Sequence, residues 1–87
     1  MEKIIVHERV CRLHPNLTED DVHTAWRHIL RSFTRTWTDQ RECVAIGVDV
    51  NGRLIEMIAI RSLDGSMLVY HAMTPPTKKV LLEMGMI

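Results

Sequence analysis

The apolar residues of this chain recur at helical spacing in the first third and at strand-like spacing beyond it. Val22, Ala25, Trp26, Ile29, Leu30 and Phe33 follow one another at steps of 3, 1, 3, 1 and 3, which lays one apolar stripe along a helix. Thr18 ahead of Glu19, Asp20 and Asp21 offers a hydroxyl to the orphan N–H groups of a helix start and three carboxylates to its positive end. The spacing therefore predicts a helix from Thr18 to about Phe33, with Trp26 and Phe33 in the core. Trp37 falls off the stripe and reads either as a partner contact or as a lid on the core. Upstream, Ile4-Ile5-Val6 is a β-branched run, and Val10 and Leu13 stand at helical spacing before Pro15. That segment reads as a strand and then a helix, or as one helix from Lys3, since Val6, Val10 and Leu13 also share a face.

Cys43 to Val50 is β-rich and ends at Asn51-Gly52, the dipeptide suited to a two-residue type I′ hairpin, with Arg53 to Arg61 returning. This register pairs Val48 with Ile55, Ile46 with Met57 and Val44 with Ala59. A second turn at Asp64-Gly65 brings Met67 to Met73 back, pairing Ala59 with Tyr70 and Ile58 with His71. Pro75-Pro76 ends the strands, and Thr77 caps a last helix over Lys78 to Met84, closed by Gly85. The expected fold is α+β: N-terminal helices packed on a three- to four-stranded antiparallel meander, with a short C-terminal helix, in a single domain over residues 1–87.

Composition narrows the partners. With 46% hydrophobic and 25% charged residues the chain lies far from the disordered corner, and at 87 residues it has room for one core. A chain of this size buries only about 60–65% of its unfolded surface, so a partner subunit, a second copy included, would add to its stability. Eleven basic and eleven acidic side chains cancel, so any basic surface must be local. Cys11 and Cys43 read as free thiols. No apolar run approaches the ~20 residues that span a bilayer, and Glu2 and Lys3 do not open a secretory leader. The expected location is cytoplasmic, with no membrane partner.

The candidate chemistry follows from the expected register. Val44, Ile46, Val48, Ile55, Met57, Ala59 and Ala72 turn toward the helix, while Asp49, Glu56 and His71 collect on the other face, with Gly47 opposite Glu56. His71 lies diagonal to Glu56, ~7–8 Å away by ideal geometry. A carboxylate beside an imidazole can run acid–base chemistry near neutral pH. The same two residues also fit a half-solvated sheet face with no chemistry. Arg27, Arg31 and Arg35, with His23 and His28, gather on the outer side of the expected helix, which reads as a local RNA-binding surface or as a solvated helix face. The five histidines show no metal-ligand spacing and neither cysteine sits in a C-x-x-C pair, so no metal or cofactor is expected. The chain has no glycine-rich phosphate loop and no nucleophile elbow.

Several words of the sequence, in order, resemble the BrnT family of bacterial toxins, small ribonucleases of the RelE-like superfamily from type II toxin–antitoxin pairs. They are Arg12-Leu13-His14-Pro15-Asn16-Leu17-Thr18-Glu19-Asp20-Asp21-Val22, Cys43-Val44-Ala45-Ile46-Gly47, Asn51-Gly52-Arg53-Leu54-Ile55 and Val69-Tyr70-His71-Ala72-Met73 before a basic helix. The resemblance covers most of the chain. It implies a metal-independent endoribonuclease that inhibits translation by activating a ribose 2′-OH against its neighbouring phosphate, with a cognate antitoxin as partner. On this chain His71 and Glu56 would transfer protons, and Arg53, Lys78, Lys79, Arg27 and Arg31 would bind RNA phosphate. Where the family typically ends its last strand Ile-Ser-Ala-Arg, this chain has Tyr70-His71-Ala72-Met73, so an arginine is missing and a histidine replaces a serine. The competing expectation is a non-enzymatic interaction module of RelE-like fold, docking through Trp37 and the Met73, Met84 and Met86 end.

Overall fold

Two three-residue loops set the register of the sheet. The structure, a computed structural model, describes residues 3–37 and 41–87; Glu2 and positions 38–40 of the polar stretch lie outside the described residues. At the first loop the Asp49 N–H donates to the Arg53 carbonyl (3.1 Å) and the Gly52 N–H to the Asp49 carbonyl (3.0 Å), leaving Val50, Asn51 and Gly52 to turn the chain. Gly52 alone of these adopts positive φ, 79°, so this is the three-residue hairpin rather than the expected two-residue turn. Asp49 Oδ1 holds the loop by accepting the N–H groups of Asn51 (3.0 Å) and Arg53 (2.8 Å).

The extra loop residue shifts the pairing of β3 (Glu42–Val48) with β4 (Leu54–Arg61) by one, so Val48 faces Leu54, Ala45 faces Met57 and Cys43 faces Ala59. A one-residue slip turns a whole strand over. Cys43, Ala45 and Gly47 therefore share the face of Ile55, Met57 and Ala59, while Val44, Ile46 and Val48 turn to the other side. The second loop, Leu63 to Gly65, is built the same way, with Ser62 N–H on the Ser66 carbonyl (2.8 Å) and Gly65 at φ 88°. Here a bulge at Tyr70 in β5 (Met67–Met73) absorbs the shift. Ala59 faces Val69 rather than Tyr70, but Ile58 faces His71 as expected.

The expected long helix divides at His28. Helix α2 covers Glu19–Arg27, and Ile29–Arg35 forms strand β2 on the edge of β3. The His28 carbonyl accepts the Val48 N–H (3.2 Å), so the sheet takes the chain over at that residue. The N-terminal segment is a strand, β1 (Ile4–Val6), and then a helix, α1 (Arg9–Leu13), which excludes the single-helix alternative. The fold is α+β, but the sheet has five strands in the order β1-β5-β4-β3-β2, and β1 runs parallel to β5. The three- to four-stranded antiparallel meander is thus corrected to a mixed sheet, because β1 and β2 add one strand to each edge.

Helices cover both faces. On one, α1, α2 and the turn between them bury Val10, Leu17, Val22 and Ala25 against Ala45, Ile55, Met57 and Val69, with Trp26 half-buried beside them. The start of α2 matches its sequence, since Thr18 and Asp21 cap each other's N–H groups reciprocally. On the other face, α3 (Lys78–Glu83) packs Val80 and the following Met84 over Val44, Ile46, Phe33 and Ile58. Thr77 caps it, and Gly85 leaves it at φ 70°. Among the described residues no helix is long and apolar enough to cross a membrane.

Gly47 lies under α2, not beside Glu56, which is opposed by Ile46. A Cβ at Gly47 would stand 1.9 Å from the Ala25 carbonyl oxygen, a backbone atom that can move only with the helix. Gly47→Ala is expected to cost at least ~1–3 kcal/mol, read as a lower urea midpoint with an unchanged slope. A midpoint equal to wild type would contradict this helix–sheet approach.

Candidate active site

Glu56 lies within β4 on the face that α3 covers and is 3% exposed. A carboxylate so enclosed must be saturated with donors. Its Oε2 lies 2.7 Å from His71 Nε2, while its Oε1 accepts the Thr77 N–H at 2.9 Å and the Thr77 hydroxyl at 2.8 Å. Burial pushes the Glu56 carboxyl up, but the hydrogen bonds from His71 and Thr77 outweigh it and hold the group below its ordinary value. An ionised carboxylate has no proton to give, so the shared hydrogen sits on His71 Nε2. In the neutral ring Nδ1 then carries the lone pair.

Both partners arrive by ordinary local structure. The Ile58–His71 pairing puts His71 one diagonal from Glu56, and the imidazole spans that gap. After β5 the Thr74 hydroxyl donates to the Leu54 carbonyl at 2.7 Å, and the chain turns so that Thr77 faces Glu56. The Thr77 hydroxyl also accepts the Val80 N–H at 3.3 Å, so one hydroxyl serves the carboxylate and the helix start together. Strand β1 pairs with β5 only as far as Val69, which leaves His71 at a sheet edge with its side chain 28% exposed. The His14 ring stands next to it, centroid to centroid 6.1 Å, at an interplanar angle of 87°.

The expected phosphate-binding residues do not all gather here. Lys78 and Lys79 follow Thr77 directly in the first turn of α3 and are exposed. Arg53 instead pins the first loop to the start of α2, with Nε on Asp49 Oδ2 (2.7 Å), Nη2 on Asp21 Oδ2 (3.2 Å) and Nη1 on the Asn16 carbonyl (3.0 Å). Arg27 ends α2 on the opposite face of the sheet. Arg31 and Arg35 sit on β2, where Arg31 Nη1 donates to the Met84 carbonyl (2.7 Å) and Arg35 lies between Glu83 (2.7 Å) and Glu42 (3.5 Å). With the helix ending at Arg27, Arg31 and Arg35 lie together on β2 against the end of α3, apart from Arg27, which ends α2 on the other face. Asp49 turns away from His71 as well. Burial raises its carboxyl, but the Arg53 and Asn51 bonds hold it below its ordinary value.

Two further features lie outside the pair. Tyr70, the bulged residue, donates its hydroxyl to Glu42, and burial together with that carboxylate pushes the phenol up. An apolar cleft of about 480 Å³, lined by Thr24, His28, Leu30, Val48, Asp49 and Val50, opens near the end of α2. An apolar cleft is the usual first guess for a site, yet its one carboxylate, Asp49, is consumed by Arg53. Trp37 is 71% exposed. Cys11 and Cys43 are not joined in a disulfide. Among the described residues no group of three or more His, Cys, Asp or Glu is placed to hold a metal ion.

Sequence reasoning placed Glu56 and His71 together but missed His14 and the second role of Thr77. The Thr77 cap was legible; its bond to a residue 21 positions away had no local signature. Comparison with protein-family models, with curated proteins and with solved structures gives no match. Fold and site together define a small α+β domain with helices on both faces of a mixed five-stranded sheet and a buried carboxylate–imidazole pair at its edge.

Because Glu56 is held below its ordinary value, its contribution to stability is complete above about pH 4.3, the unfolded glutamate value, and is lost as pH falls through the lower folded one. Urea midpoints measured from roughly pH 3 to 7 are expected to fall more steeply on the acid side for wild type than for Glu56→Gln. At neutral pH the substitution should cost about 1–3 kcal/mol. Parallel curves would contradict the buried pair.

Proposed function

We propose that this chain is a metal-independent endoribonuclease of the BrnT-like kind, the toxin of a type II toxin–antitoxin pair that inhibits translation by cutting RNA. The observation that carries this reading is the buried Glu56 holding Nε2 of a half-exposed His71, with Lys78 and Lys79 opening the adjacent helix. His71 Nδ1 takes the proton of a ribose 2′-OH, the 2′-oxygen attacks its phosphate, and the 5′-oxygen leaves. The lysines balance charge on the phosphorane. Glu56, with both oxygens engaged, orients the imidazole and stabilises the imidazolium that forms. A cognate antitoxin would cover the exposed edge around His71.

A second reading, a non-enzymatic interaction module of similar fold, is favoured by the exposure of Trp37. The two separate in one assay. Purified wild type in EDTA should cut single-stranded RNA to 2′,3′-cyclic phosphate ends, and its expression without an antitoxin should arrest growth. His71→Ala is expected to lower cleavage by about 10²–10⁴ while melting like wild type. Equal cleavage by His71→Ala would remove the site assignment. Wild type that neither cuts nor arrests growth would leave the interaction module.

A further inference from the structure

A phosphodiester cleavage of this kind moves two protons, one off the attacking 2′-oxygen and one onto the leaving 5′-oxygen, and His71 supplies only the first. Glu56 is not free for the second. It is 3% exposed, and its oxygens accept from His71 Nε2, the Thr77 N–H and the Thr77 hydroxyl. Tyr70 is committed to Glu42, and burial raises its phenol.

We propose that His14 is the general acid of this site, donating its proton to the leaving 5′-oxygen while His71 accepts the proton of the 2′-hydroxyl. This rests on the ribonuclease reading above. The rings stand 6.1 Å apart and nearly perpendicular, so the edge of one meets the face of the other and they share no hydrogen bond. An imidazole serves an oxygen within ~2.6–3.2 Å, so two rings at this separation can both reach oxygens of one phosphate. Among the described residues no hydrogen bond or ion pair engages the His14 ring, which leaves it a nitrogen to present to substrate.

Its position is fixed from behind. The His14 N–H donates to the Val10 carbonyl (3.0 Å) and the His14 carbonyl accepts the Leu17 N–H (2.9 Å). Val10 and Leu17 are 1% and 2% exposed, so the backbone that carries the ring is anchored in the core on both sides. In the balanced step the 2′-oxygen to phosphorus bond forms as the phosphorus to 5′-oxygen bond breaks. His71 gains a proton, His14 loses one, and exchange with water resets both. The products are a 2′,3′-cyclic phosphate and a 5′-hydroxyl.

The test compares two RNA oligonucleotides, one ordinary and one with a 5′-bridging sulfur at the scissile phosphate. Sulfur departs as a thiolate and needs no acid. His14→Ala should cut the ordinary RNA about 10²–10⁴ more slowly than wild type and cut the sulfur-bridged RNA at nearly the wild-type rate. His71→Ala should stay slow on both. His14→Gln, which puts a polar amide of similar reach in place of the ring, repeats the comparison should the alanine variant melt early. Wild-type rates on ordinary RNA from both His14 variants, or equal loss on both substrates, would overturn the acid role and leave the ribonuclease reading standing. Wild type that cuts neither substrate would remove that reading and this proposal with it.

Discussion

A carboxylate sealed from water is costly unless donors surround it, and at Glu56 the donors come from two segments, β5 and the start of α3. His71 arrives along β5, and Thr77 arrives after the chain has turned through Pro75 and Pro76. Satisfying one buried charge therefore fixes the approach of the last strand and the starting point of the last helix. The Thr77 hydroxyl donates to the carboxylate and accepts from the Val80 N–H, so the helix begins where the charge requires it. At its far end α3 is held by Arg31 on the Met84 carbonyl and by Arg35 on Glu83. A helix of six residues gains little from its own hydrogen bonds, and these contacts with its apolar face supply what it lacks.

The opposite face works by close approach rather than charge. Ala25 and Gly47 let α2 lie against the sheet at a distance that no side chain larger than hydrogen would permit at position 47. Arg53 then ties the first loop to the start of α2 through Asp49, Asp21 and Asn16. A basic residue that sequence reading assigns to phosphate is here a strut between hairpin and helix. Net charge and residue type did not reveal this, because only Asp49 is near in sequence and the partners at α2 lie 32 and 37 residues away.

What could be read from the sequence was what local chemistry decides. The Thr18 and Thr77 caps, the Gly85 stop and the two hairpins are all present. The long helix failed because Ile29 and Phe33 stand at helical spacing in the sequence, whereas pairing with β3 makes the segment a strand whose bulge sends Ile29 to one face of the sheet and Phe33 to the other. Register failed at the first loop because Asp49 captures the turn and leaves Asn51 out of the left-handed region. It succeeded at His71 because the Tyr70 bulge offsets the same error in the second loop. The Glu56–His71 pair was thus found through two shifts that compensate, whereas His14 and Thr77 joined it only in three dimensions.

An ionised Glu56 holds the His71 proton on Nε2 and leaves Nδ1 open. Long-range proton–nitrogen NMR of the imidazole rings, at a pH where His71 is neutral, reads this directly. A single Nε2–H tautomer is expected for His71 in wild type and a mixture in Glu56→Gln. An Nδ1–H tautomer, or two averaging forms in the wild-type protein, would contradict it.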